Sequence, residues 1–157
     1  MSPFRRFYLV VLAGLIAFVL LALGSCSTAT SLVRVTHTQL ESAGGTVTCD
    51  QNNFPIIILD DDEWYGPNRW YALTHERRHV TDMLEYPGGC EAFYKRFGED
   101  LIFRVEAEVR AYCDGMWMAM ARNSHQHIHH AETEIGSYLS EVPEGASINV
   151  PCRGRTK

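Results

Sequence analysis

The sequence has no surplus of positive charge: 14 lysines and arginines stand against 19 acidic residues, a formal net charge of −5. A protein that tracks a phosphate backbone needs a basic stripe or patch, so nucleic acid is excluded as an expected partner. Low-complexity segments and internal repeats are also absent. What remains is an ordinary globular composition, 46% hydrophobic and 21% charged, in 157 residues that leave room for one domain. The five cysteines show neither Cys-x-x-Cys nor zinc-finger spacing, so neither a redox dithiol nor a cysteine-held zinc is expected. The acidic run Asp60-Asp61-Asp62-Glu63 lacks the spaced ligands of a calcium loop and reads as a solvated turn.

What is present begins with one long apolar run, Phe7 to Leu23, interrupted only by Gly14. Arg5 and Arg6 precede it and Gly24-Ser25-Cys26 follows, the pattern of an export signal. The run is long for a signal peptide and short for a full membrane span. Leu23-Gly24-Ser25-Cys26 resembles the bacterial lipobox, in which the cysteine is lipidated; an uncleaved signal anchor is the alternative. Both keep the arginines in the cytoplasm. The expected organisation is a signal or anchor over residues 1–26 and a single extracytoplasmic domain over 27–157, attached to the membrane of the bacterial envelope. Ser27 to Ser31 reads as a polar tether. Four cysteines then remain, Cys49, Cys90, Cys113 and Cys152. An even number in an exported domain points to two disulfides, with three pairings open.

Local patterns predict an α+β fold. Val33 to Thr38 alternates and is β-branched, Gly44-Gly45 makes a turn, and Thr46 to Cys49 can pair back on the first strand. Ile56 to Leu59 reads as a short buried strand. Asn68 is placed to cap a helix that runs to about Glu85 and stops at Tyr86-Pro87-Gly88-Gly89. Further helices are expected over Glu91–Phe97, from about Asp100 to Arg122, and from Ser124 towards Leu139.

The helix after Asn68 carries His75-Glu76-Arg77-Arg78-His79. Residues four apart share one helix face, so both imidazoles point at one place, as a metal site requires. Glu76 lies about a quarter-turn away, by the 3.6-residue period, where it can reach a water on the metal and take its proton. On the helical wheel Leu73, Val80 and Leu84 form the inward stripe, widened by Ala72 and Met83. Arg77 lies close to the apolar face and Arg78 on the far, solvent side.

The segment Thr74-His75-Glu76-Arg77-Arg78-His79-Val80 resembles the His-Glu-x-x-His motif of the zincin metallopeptidases. That family usually has uncharged residues where this chain has two arginines. In its gluzincin branch the third zinc ligand is a glutamate on a later helix, often in Glu-x-x-Ala-Asp. Glu108-Val109-Arg110-Ala111-Tyr112 is similar, with Tyr112 in place of the aspartate. The resemblance spans about Ile56 to Tyr112. It implies a minimal zincin-like domain that hydrolyses a peptide or related amide bond. Zn2+ would be held by His75, His79 and Glu108, with Glu76 as general base, and a peptide or protein would be the substrate. A non-catalytic metal-binding envelope lipoprotein is the alternative.

Glu106 competes with Glu108 for the third position, and the apolar stripe of Leu101, Val105 and Tyr112 brackets Glu108 more closely. Asp82, three residues after His79, either orients that histidine or continues a polar stripe. The cluster His125-Gln126-His127-Ile128-His129-His130 is solvated, holds a second metal, or lends an oxyanion-stabilising donor; Tyr112 and Tyr138 are alternatives for that donor. Trp64, Tyr65, Trp70 and Tyr71 flank the motif helix, and most are expected to pack in the core.

Overall fold

A computed structural model describes residues 33–40, 44–149 and 152. The signal or anchor expected over residues 1–26, the lipidation expected at Cys26 and the tether that follows lie outside the described residues. Among these, no helix is long and apolar enough to cross a membrane.

The most apolar short run takes the middle of the sheet. Strand β3 (Pro55–Asp60) buries Ile57 and Leu59 completely and sits between β1 (Arg34–Thr38) and β2 (Gly45–Cys49). Strand β1 runs parallel to β3, with Arg34 opposite Ile56 and Thr38 opposite Asp60. Strand β2 runs antiparallel to β3, with Gly45 opposite Leu59 and Cys49 opposite Pro55. The pairing of the second strand with the first, expected from the Gly44-Gly45 turn, is therefore wrong. A strand that is apolar on both faces gains most when flanked on both edges. Strand β1 is largely exposed, which fits an edge. The β2–β3 connection is closed by Asp50, whose Oδ1 accepts from the Asn52 and Phe54 amides at 2.8 Å each.

The acidic run after β3 is a helix start, not a solvated turn. Asp60 caps α1 (Asp61–Tyr65), its Oδ1 accepting from Asp62 N at 3.0 Å and its Oδ2 from Leu40 N at 2.7 Å. Asp61, Asp62 and Glu63 fill the first turn, where the helix dipole favours negative charge. Four longer helices follow: α2 (Arg69–Glu85), α3 (Gly89–Glu99), α4 (Leu101–Ala121) and α5 (His125–Ser140). Asn68 occupies the N-cap position of α2, but its side chain makes no capping hydrogen bond. Gly88 and Gly89, at φ of 92° and 74°, turn the chain from α2 into α3. These elements confirm the α+β class.

The main core joins Val47, Ile57 and Leu59 of the sheet to Val80 and Met83 of α2, Phe93 of α3 and Ala107 of α4. Helix α4 is buried on two sides, because Val105, Val109 and Cys113 pack in a second cluster with Ile135 and Tyr138 of α5. Ala107, Ala111 and Gly115, spaced four apart, are buried along α4. A Cβ at Gly115 would stand 3.0 Å from the Tyr71 ring of α2, so a small residue there permits the close approach of the two helices. The disulfides are Cys49–Cys90, tying β2 to α3, and Cys113–Cys152, tying residue 152 to α4.

Helix α2 sits differently from its wheel. Leu84, assigned to the inward stripe, is 46% exposed, while Val80 and Met83 are buried. Arg77 is the exposed arginine, and Arg78 is part-buried. The wheel has one apolar direction, whereas α2 is covered by the sheet on one side and by α4 on another.

Candidate metal centre

One helical turn separates His75 and His79 on α2, and their Nε2 atoms stand 3.2 Å apart. Packing of α4 on α2 brings Glu108 to them: its Oε2 lies 3.3 Å from His75 Nε2 and 3.6 Å from His79 Nε2. These three residues form a group that can hold a metal ion. A tetrahedral ion with bonds of about 2.0–2.1 Å sets neighbouring ligand atoms roughly 3.3–3.4 Å apart. The observed sides of 3.2, 3.3 and 3.6 Å lie close to that edge. Two imidazole nitrogens and a carboxylate oxygen so close together repel unless a proton or a cation lies among them. The residues present therefore fit a divalent ion.

Burial alone would push the Glu108 carboxyl up. Hydrogen bonds from His75 and His79, together with their charge, outweigh it and hold the carboxyl at about 2. A carboxylate that binds a cation is likewise ionised. Glu76 moves the other way. It is 6% exposed, and desolvation raises it to about 7, with the charge of His75 opposing and that of Glu108 adding. Its side chain lies against Gly45 of β2, where a Cβ would meet Glu76 Cγ and Oε1 at 3.0 Å and Leu59 Cδ2 at 2.9 Å. Gly45, read from the sequence only as part of a turn, is thus the residue that lets the strand close on the acid.

Glu106 is not part of the group: its Oε1 accepts from the Asn149 amide at 3.1 Å. Asp82 does not orient His79 either. Its Oδ1 pairs with Arg78 at 2.8 Å and its Oδ2 accepts from Arg110 Nε at 3.1 Å. Both histidine Nδ1 atoms are buried without a hydrogen-bond partner. Arg78 also lies 3.8 Å from Asp114. Arg78, one of the two arginines that depart from the usual motif, therefore helps brace α2 against α4, two residues from Glu108 at Arg110. Sequence reading missed that brace because each half is unremarkable on its own helix.

The group opens into a cleft of about 640 Å³ between the sheet edge at Gly44–Val47, α2, α4 and α5. The histidine cluster divides. His127 and His130 line the cleft, His130 from an exposed position, whereas the exposed His125 and His129 do not line it. His127 is 2.6 Å from Ser124 Oγ through Nδ1 and packs on Trp70 and Tyr71. Among the described residues the cluster forms no second metal group. Tyr112 packs on His75 with ring centroids 4.4 Å apart, and Tyr138 lines the cleft beside it. Of the aromatic group, Tyr71 is buried and Trp64 packs on the core, but Tyr65 is 75% exposed.

Neither a protein-family model, a curated protein nor a solved structure matches this chain.

Proposed function

We propose that this chain is a membrane-anchored zinc metallopeptidase of the zincin type, with His75, His79 and Glu108 as ligands and Glu76 as general base. The observation that carries the reading is the ligand triangle of 3.2, 3.3 and 3.6 Å, together with a buried acid on the same helix turn. Two imidazoles and one carboxylate with a free fourth position are the donor set of a catalytic zinc site, whereas structural sites are closed by four protein ligands. A divalent ion held there supplies a Lewis acid that lowers the pKa of a water and polarises a carbonyl.

The chain's own residues do the proton work. Glu76 lines the cleft and is held near neutrality by burial, so its carboxylate can accept a proton and return it to a departing amine. Gly45 keeps its side chain in place from one side. The brace of Arg78, Asp82 and Arg110 keeps the helix of Glu108 in register with that of the histidines. Attachment to the outer face of a membrane is supported by the flanked apolar run near the N-terminus and by two disulfides, which persist in oxidising compartments.

The test is zinc content and peptide hydrolysis of the full chain beside His79→Ala and Glu76→Gln. We expect one zinc per chain in wild type and Glu76→Gln, none in His79→Ala, and cleavage of a peptide mixture by wild type alone. A folded wild type that binds no zinc refutes the site. Zinc bound without any cleavage makes the chain a non-catalytic metal-binding protein.

A further inference from the structure

The cleft is chemically one-sided. Its lining includes four carboxylates, Glu63, Glu76, Glu108 and Glu134, and among the described residues neither a lysine nor an arginine. A divalent ion on His75, His79 and Glu108 would at least balance the charges of Glu108 and Glu76 together. Glu63 and Glu134 then remain as net negative charge in a partly enclosed space, where electrostatics act more strongly than in bulk water.

Glu134, on α5, lines the cleft together with Tyr71, Tyr112 and Tyr138. His130 lies 3.9 Å from its carboxylate, and that imidazole is 5.7 Å from the Tyr71 ring and 6.0 Å from the Tyr112 ring. Tyr112 is in turn 6.0 Å from Tyr138, and it packs on the ligand His75. A carboxylate and aromatic rings lining one cleft can take an organic cation, by charge and by the ring quadrupole together.

We propose that Glu134, Tyr112 and Tyr138 form a specificity subsite beside the metal centre for the ammonium or guanidinium side chain of a basic residue in the substrate. The proposal rests on the peptidase reading for the identity of its ligand as a peptide, but not on turnover. Because Tyr112 touches both His75 and this subsite, the basic residue would sit close to the bond being cleaved.

The test measures binding, so a failure of hydrolysis does not obscure it. Zinc-loaded full chain carrying Glu76→Gln is titrated by fluorescence anisotropy into three labelled peptide pools. The pools are identical except for lysine, norleucine or glutamate at one position, and norleucine keeps the alkyl stem while removing the charge. We expect the lysine pool to bind about fivefold to tenfold tighter than the norleucine pool, with the glutamate pool weakest. Adding Glu134→Gln should erase the lysine preference without changing zinc content, and Tyr138→Leu should reduce it. Norleucine binding as tightly as lysine, a lysine preference that survives Glu134→Gln, or no binding of any pool overturns the proposal.

Discussion

Replacing Gly45 with alanine probes the closest approach between the sheet and the candidate site. The added methyl would stand 2.9 Å from Leu59 Cδ2 and 3.0 Å from both Cγ and Oε1 of Glu76. Leu59 is fully buried and cannot yield without disturbing the core, and Glu76 is only 6% exposed. Overpacking of this kind costs typically about 1–3 kcal/mol. Against it stands the lower unfolded-state entropy of alanine, a gain of about 0.4–1 kcal/mol where the backbone allows it. The steric term is larger, so a net loss of roughly 1–2 kcal/mol is expected, read as a shift in the urea midpoint with unchanged slope. Because the side chain that must move is Glu76, the proposed hydrolysis should fall by more than tenfold while zinc content stays as in wild type. Glu76→Ala removes one of the clashing groups. The stability cost of Gly45→Ala should therefore shrink by at least 0.5 kcal/mol in that background, the scale of coupling between touching residues. An alanine variant as stable as wild type, or one with an undiminished cost in the Glu76→Ala background, would refute the contact.

Asp82→Ala leaves Arg78 and Arg110 without their shared carboxylate. Both guanidinium groups keep some water, so the expected cost is about 2–3 kcal/mol rather than the full penalty of a dry pair, with weaker zinc binding measured by chelator competition. Cys49→Ser with Cys90→Ser opens a cross-link spanning 41 residues. Chain entropy puts that at about 4 kcal/mol, measured as lost unfolding free energy at neutral pH. Asp60 and Asp100 are held below the ordinary aspartate value, first by the amides of Leu40 and Phe103 respectively. A depressed folded value means that their stabilisation is present above about pH 3.9 and is lost as pH falls through the folded value. The double variant Asp60→Asn, Asp100→Asn should therefore show a flatter acid limb in urea midpoint against pH; an unchanged limb refutes the caps.

Helix existence and ligand spacing are local properties, and they were legible without coordinates. The periodicity of α2, the stop at Tyr86-Pro87-Gly88-Gly89 and the four-residue step from His75 to His79 follow from a repeat of 3.6 residues per turn. The structure groups Glu108 rather than Glu106 with His75 and His79, and the apolar stripe that brackets Glu108 is a property of α4 alone. By contrast, β2 and α1 depart from their local patterns for identifiable reasons. A glycine pair suggested a hairpin, but β3 was the better partner because it needed both edges covered. An acidic run suggested solvent, but Asp60 satisfied the first amides of a helix.

The sequence by itself determined which residue types stand one turn apart on one helix, and hence which chemistry the chain can offer. The tertiary structure alone decided what faces that chemistry. It set Gly45 against Glu76, turned Arg78 inward to share Asp82 with Arg110, and placed Glu134 in the cleft among the tyrosines. Each of these joins segments far apart in the chain. A helical wheel records directions around one axis, whereas burial depends on which other elements cover each direction, and for α2 and α4 two faces rather than one were covered.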